Sequence, residues 1–513
     1  MTLTRNGAAS KIKTLEELAS IIARHKSEGK KVVLCHGVFD LVHPGHMRHF
    51  ESARRQGDIL VVTVTPDRFV GKGPGRPVFP EALRAEFLAS LAAIDYVGVN
   101  RWPTAIEALK LLKPSVYVKG SDYADPERDL TGNIARERET VEAGGGRIHF
   151  TDEITFSSSA LINQHLSVYP PETARYLEEF RQRYSADEII SRLQGLKKLR
   201  VLVIGDTILD EYHFCNVLGK SPKANALNAR FLYSELYAGG VLAVANHLAG
   251  FCGDVTLVTC LGEQDPRREF VTGQLRGNIG PRFVLRHDAP TTVKRRIVEP
   301  ARYTKMFEES FISDGPLPAG LEGGLIKDIE HLAGQHDLVV VADFGHGFLS
   351  NRTAESVSRS SPYLAVNAQA NSANFGYNLI TKYPRASYAC LDEPELRLAS
   401  HDKHGPLNEI IEWTSQALQA DMISVTQAQH GSTTYTQRDG FVKTPVFSTR
   451  VVDTLGAGDA YLALTAPCAA AGAPADLIGF IGNVAGALKV EIIGNKSSVE
   501  PVPVYKFITT LLK

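Results

Sequence analysis

Apolar positions recur at two distinct spacings along this chain, and their alternation predicts its architecture. Leu15, Leu18, Ile21 and Ile22 fall on one helical face, with Thr14 placed as N-cap and Glu17 three residues on, so a helix is expected over 14–26. A short apolar run, VVLC (32–35), follows and predicts a strand; a glycine-containing turn then leads into a new helical pattern from His46. The same alternation continues through strands at 59–65, 96–99, 115–120 and 147–151, separated by helical patterns at 81–92, 104–112 and 134–143. Repeated strand–helix units of this kind predict a parallel-sheet α/β domain over residues 1–168. Residues 169–198 change character to a dense mix of charge with helical period, expected as a helical linker or the first helix of the next domain. RVLVIGD (200–206) then opens a second α/β pattern over 199–513, with strands at VTLVTCLG, DLVVVAD and MISVTQ and a glycine-rich helix start at DTLGAGDA (453–460).

Length and charge add boundaries. At 513 residues more than one core is expected. A formal net charge of −1 supplies no global field for nucleic acid or an anionic membrane, so neither is an expected partner. The apolar stretch 460–488 is interrupted by Pro467, Pro474 and Asp476 and reads as two buried helices rather than a membrane span. Six scattered cysteines form no metal-ligand pattern and are expected as reduced thiols. The polar start MTLTRNGAAS lacks the apolar core of a signal peptide, and a cytoplasmic location is expected.

Two short segments carry chemistry. In CHGVFDLVHPGHMRHF (35–50), His43 and His46 fall where a strand's carboxyl end meets a helix N-terminus, the usual ligand position in an open α/β sheet. Two imidazoles there can donate to phosphate oxygens, and fixed donors aimed at developing charge are the main protein contribution to such transfers. In VVDTLGAGDAYLA (451–463), Gly456, Ala457 and Gly458 precede Asp459 at a predicted helix start, an arrangement in which backbone N–H groups converge on an anion and Asp459 can take a hydroxyl proton.

The pattern G-V-F-D-x-x-H-x-G-H resembles the cytidylyltransferase-like nucleotidyltransferases. KGPGRPVFPEALRAEFL (72–88), IDYV (94–97), VKGSDY (118–123) and FSSSALI (156–162) follow in that family's order. The likeness over about 11–168 is greatest to the adenylyltransferase half of the bifunctional heptose-phosphate kinase/adenylyltransferases. It implies a Rossmann-like nucleotidyltransferase domain in which His43 and His46 contact the triphosphate and Lys72 neutralises it. Gly37, Phe39, Gly45 and Ser157, Ser158 and Ser159 would bind nucleotide and phosphate. Asp40, Lys119, Gly120 and Asp122 would face the acceptor, with Arg84, an exposed helix residue, in support. ATP or CTP is the implied nucleotide and Mg2+ the implied companion ion.

D-T-x-G-A-G-D resembles the signature of ribokinase-like (PfkB) sugar kinases, which implies a ribokinase-like α/β domain with Asp459 as general base and Gly456, Ala457 and Gly458 as an anion hole. GDTILDEY (205–212), TTVKRRIV (291–298) and DFGHG (343–347) extend the likeness, placing Asp206, Asp210, Gly239 and Gly240 toward the sugar and Lys294 toward a phosphate. The departures are Ala243 for an acceptor-binding Asn, Cys390 for the Asn of an Asn-x-x-Glu whose acid, Glu393, remains as the implied metal ligand, and Ala428 for a glycine, with Gly431 retained. VNAQANS (366–372) replaces an Asp-Pro-Lys. The heptose enzymes usually carry the kinase first, so the order here is reversed. The resemblance implies a bifunctional nucleotide-sugar enzyme, a homo-oligomer such as a dimer; the alternative is an active nucleotidyltransferase joined to an impaired kinase-like half that serves binding or oligomerisation.

Overall fold

The computed structural model describes residues 6–123, 129, 132–151, 158–165, 168–265 and 267–513. It divides into two compact units, one of residues 1–171 with 505–513, the other of residues 172–504.

In the first unit five strands, β1 (Val32–Gly37), β2 (Ile59–Val64), β3 (Tyr96–Val99), β4 (Val116–Gly120) and β5 (Arg147–Thr151), form one parallel sheet in the order β3-β2-β1-β4-β5. Both faces are covered, which is why β1 reads as an unbroken apolar run. Val33 and Cys35 pack with Phe50, Ala85 and Leu88 on one side; Val32 and Leu34 pack with Leu18, Ile22 and Leu109 on the other. The strand order reverses between β1 and β4, so their carboxyl ends flank the switch-point crevice in which ligands bind. The Thr14 capping box forms as expected, with Glu17 N–H donating to Thr14 Oγ1 at 3.2 Å.

The second unit contains β6 (Arg200–Gly205), β7 (Thr207–Lys220), β8 (Leu227–Gly240), β9 (Asp254–Gly262), β10 (Ile279–Arg286), β11 (Val293–Glu299), β12 (Thr304–Phe311), β13 (Leu338–Asp343), β14 (Leu364–Ala368), β15 (Tyr388–Asp392), β16 (Met422–Thr426), β17 (Ser432–Thr436) and β18 (Gly440–Thr444). Nine of them form a sheet in the order β10-β9-β6-β13-β14-β15-β16-β17-β18, parallel up to β16 and antiparallel beyond it. The other four form a smaller sheet, β12-β11-β7-β8. The chain leaves the large sheet at Asp206, the single residue between β6 and β7, and so sets that carboxylate at the sheet's carboxyl edge.

The charged stretch before β6 forms two helices, Pro171–Arg181 and Ala186–Gly195, and residues 172–198 cluster with the second unit. Phe180 stacks on Phe480 at 4.3 Å, and Asp476 accepts from Arg183 and from the Tyr184 hydroxyl. The 460–488 stretch forms the helices Ala457–Ala470 and Ala475–Lys489, and among the described residues no helix is long and apolar enough to cross a membrane. All six cysteines are free.

Ala428, standing where the resembled family has glycine, adopts a left-handed φ of 48°. Gly431 beside it has a φ of 81°, and a Cβ there would lie 2.0 Å from the Thr444 carbonyl oxygen, so glycine is obligatory only at 431. Left-handed backbone costs an alanine roughly 1–2 kcal/mol, partly offset by the smaller unfolded-state entropy of Ala relative to Gly. Ala428→Gly is therefore expected to stabilise the second unit by about 0.5–1 kcal/mol, seen as a higher unfolding midpoint.

Candidate active sites

His43 is the N-cap of the helix Pro44–Arg54: Pro44 occupies the first helical position and the Gly45 N–H donates to His43 Nδ1 at 3.1 Å. That bond leaves Nδ1 unprotonated in the neutral ring, so Nε2 carries the proton. The His43 and His46 rings lie 4.0 Å apart, and Phe39 meets His46 edge-on at 5.4 Å. Phe39 has a left-handed φ of 51°, and its ring fills the space above Gly37, where a Cβ would come within 2.9 Å. Burial, reinforced by His43, His49 and Lys72, pushes the His46 imidazole down to about 3, so it is neutral at physiological pH. Its buried Nδ1 has no hydrogen-bond partner among the described residues. A cavity of about 450 Å³ opens against His43, Pro44 and Met47.

Lys72 reaches the same place. Burial lowers its ammonium to about 8, with Asp40 opposing and neighbouring cations reinforcing the shift. Asp40 is committed locally: its carboxylate accepts the Val78 and Phe79 N–H groups at 2.7 and 3.0 Å and lies 3.6 Å from Arg76, which pins the 76–79 loop. Lys119 is paired with Glu137 at 3.3 Å and sits over the Tyr123 ring. Gly120 closes β4 and Ser159 is buried in the helix Ser158–His165. Ser157 and the side chains of Ser158 and Asp122 lie outside the described residues.

Arg84, expected as an exposed helix residue, is instead 2% exposed. Its guanidinium donates to the carbonyls of Val38, Thr65 and Phe79 and to Asp67 at 2.6 Å, tying the β1 turn to the end of β2. Helical periodicity could not show this, because the acceptors are loop carbonyls brought in by the fold.

In the second unit Asp459 lies in the first turn of Ala457–Ala470, whose N-cap, Gly456, has a left-handed φ of 75°. A Cβ at Gly456 would lie 2.9 Å from Asn495 Oδ1. The Gly458 and Asp459 N–H groups, in the first turn, have no acceptor within the helix and are available to an anion. Burial raises the Asp459 carboxyl to about 6, opposed by a hydrogen bond from Gln369 at 2.7 Å and by Lys489 and Lys294. A carboxylate poised near 6 is suited to removing a hydroxyl proton at neutral pH. Lys489, itself lowered to about 8 by burial, donates to the Leu455 and Gly494 carbonyls and so braces the turn.

Asp210 is paired with Arg296 and accepts from Asn495 Nδ2 at 2.8 Å. Its carboxylate occupies the space that Gly239 leaves open, and a Cβ at Gly240 would meet the Asp206 carbonyl oxygen at 2.7 Å, which explains the glycine pair. Asp206 accepts the Phe344 N–H at 2.9 Å, and burial beside Asp343 raises its carboxyl. Half-buried Lys294 is lowered by burial, with Glu308, Asp210 and Asp206 opposing. Asp459, Asp210, Asp206 and Lys294 thus converge. Glu393 does not join them: it is held by Arg397 at 2.8 Å and Gln427 at 3.0 Å. Ala243 is buried inside the helix Val241–Phe251. Gln369, Lys489 and Asn495 carried no signal in the sequence, and Arg296 lay unremarked within TTVKRRIV; Gln369 comes from the very segment, VNAQANS, that departs from the resembled pattern.

The profile of the pfkB family of carbohydrate kinases matches residues 198–501. The chain belongs to that family. Ahead of it, the profile of the Cytidylyltransferase-like family matches residues 34–192, giving a nucleotidyltransferase-like domain followed by a carbohydrate kinase domain. The chain is similar to the bifunctional protein HldE of Citrifermentans bemidjiense, 43% identical over 163 residues, covering 31% of this chain and 32% of that protein. It is also 38% identical over 178 residues to the HldE protein of Geobacter metallireducens, covering 34% of each. The matched part therefore spans about a third of these relatives' length. Phosphofructokinase-2 of Escherichia coli, solved in complex with potassium, superposes with a TM-score of 0.50 at 13% identity over 61% of this chain and all (100%) of that one, a likeness of fold.

Proposed function

We propose that the two units perform consecutive steps on one sugar. The kinase unit phosphorylates a sugar from ATP, and the nucleotidyltransferase unit joins a nucleoside monophosphate from ATP, or CTP, to a sugar 1-phosphate of the heptose type. In the second step an acceptor phosphate oxygen bonds to the nucleotide α-phosphorus and pyrophosphate leaves, so no covalent enzyme intermediate is required. The observation that carries this reading is the pairing of His43 and His46, 4.0 Å apart at a helix start, with Lys72 beside them. Donors fixed at that point can follow charge as it develops on the phosphate oxygens. The HldE likeness supports the heptose acceptor, with the order of the two activities reversed.

The described residues hold no cluster of three or more acidic, His or Cys side chains suited to a resident metal, and Glu393 is already engaged. Magnesium is accordingly assigned to the substrate, entering with the triphosphate. Exposed Phe231, Tyr233, Phe307 and Phe311 on the four-stranded sheet support self-association.

Purified protein given ATP or CTP with a panel of sugar 1-phosphates, including heptose 1-phosphate, is expected to release pyrophosphate. The same protein given ATP and sugar phosphates lacking the 1-phosphate is expected to form ADP. No pyrophosphate from any pairing would overturn the transferase reading.

A further inference from the structure

Residues 505–513 follow the kinase unit in the chain yet cluster with the nucleotidyltransferase unit. Their seat there is built by the glycines that bracket Lys72. The Phe507 ring fills the space over Gly73, where a Cβ would lie 1.9 Å from it, and Gly73 has a φ of 93°, so no other residue fits. The Lys506 stem passes 4.0 Å from the Cβ position of Gly71. Asn163 ties the segment down from the other side, donating to the Thr510 carbonyl at 2.7 Å and accepting from Arg76 at 2.9 Å.

Among the described residues, Lys506 thereby joins a cluster whose cations exceed its carboxylates. Lys72, Arg76, Lys119, Lys506 and Lys513 face Asp40, Asp129 and Glu137. Asp40 is committed to Arg76 and two backbone amides, and Glu137 to Lys119. Asp129 accepts the Ile134 N–H and, among the described residues, attracts Lys506, while Lys119 repels Lys506. Like charges held together and partly removed from water are costly unless an anion enters among them. The nucleotide triphosphate is the polyanion that the histidine pair alongside would receive.

We propose that Lys506 is a binding residue of the nucleotidyl-transfer site, placing its ammonium on the polyphosphate of the nucleotide from a segment that lies beyond the kinase unit in sequence. The inference rests on the transferase reading above. Steady-state pyrophosphate release by the full chain tests it, with Lys506→Ala and Lys506→Arg compared at varied ATP and at varied acceptor. Lys506→Ala is expected to raise the KM for ATP by roughly five- to tenfold, with acceptor KM within about twofold, and Lys506→Arg to restore most of the loss. An unchanged KM for ATP, a rise confined to the acceptor, or a loss that arginine does not restore would overturn it. Equilibrium binding of inorganic pyrophosphate separates the two ideas. Should wild type release no pyrophosphate, the transferase reading fails, and weaker pyrophosphate binding by Lys506→Ala than by wild type still upholds the site; equal or absent binding sinks it.

Discussion

Replacing His46 by alanine is expected to slow nucleotidyl transfer by about 10²–10³-fold, the scale on which one preorganised donor to developing charge acts. The ring is held by Phe39 and Phe50 and by its stagger on His43, so its position is set before substrate arrives. Its imidazole, pushed to about 3, is neutral in the free protein and works as a hydrogen-bond donor rather than as a cation. The pH dependence of kcat/KM should therefore show no limb from His46 between pH 5 and 7. It should instead fall above about pH 8, as Lys72 loses the proton that makes it attractive to the triphosphate. Pyrophosphate release across pH 5–9 in wild type and His46→Ala checks both statements. A loss below tenfold would remove His46 from the transfer step.

For the kinase unit, Asp459→Asn is expected to lower ADP formation by about 10²–10⁴-fold, the range of a lost general base. Wild-type kcat/KM should rise as pH passes about 6, where the carboxyl ionises, and then level. The same substitution should stabilise the fold at higher pH. The folded carboxyl lies near 6 against its ordinary 3.8, so its stabilising protonated state is complete below 3.8 and is lost as pH rises through 6. Asparagine avoids ionisation altogether, and a gain on the order of 2 kcal/mol over wild type is expected at pH 8 and little at pH 4. Unfolding midpoints at the two pH values test the gain. ADP formation reduced by less than tenfold would remove Asp459 as the general base, and no ADP formation by wild type would instead favour a kinase-like half acting in binding or assembly.

Several features were legible because they are local. The HPGH turn names its own N-cap, its first-turn proline and its buried glycine within four consecutive residues, and Gly456 and Asp459 share one helix turn. The five strands of the first sheet and β6, β9, β13 and β16 of the nine-stranded sheet were visible as apolar runs because helices cover both faces, whereas β10, β14, β15, β17 and β18 were not singled out. Nor was the small sheet. Along β8 the first eight residues are exposed, with Leu227, Phe231, Leu232 and Tyr233 among them, so apolar side chains do not alternate with polar ones and no strand period emerges. Arg84 was misread for a related reason: its place on a helix suggested solvent, whereas its acceptors are carbonyls of Val38, Thr65 and Phe79.

By itself the sequence determined two α/β units and, within each, the short turn that presents backbone amides and a reactive side chain at a helix start, because consecutive residues are held together by the chain whatever else folds. Only the tertiary structure decided what those turns face. Gln369 and Lys489 tune Asp459, Arg296 neutralises Asp210, Arg397 and Gln427 withdraw Glu393, and Lys506 arrives beside Lys72. Packing of Phe507 over Gly73 brings Lys506 there against like charge, whereas the other pairings join groups by charge and hydrogen bonding once water is excluded, and burial, which sets their strength and their protonation, belongs to the assembled fold rather than to any stretch of chain.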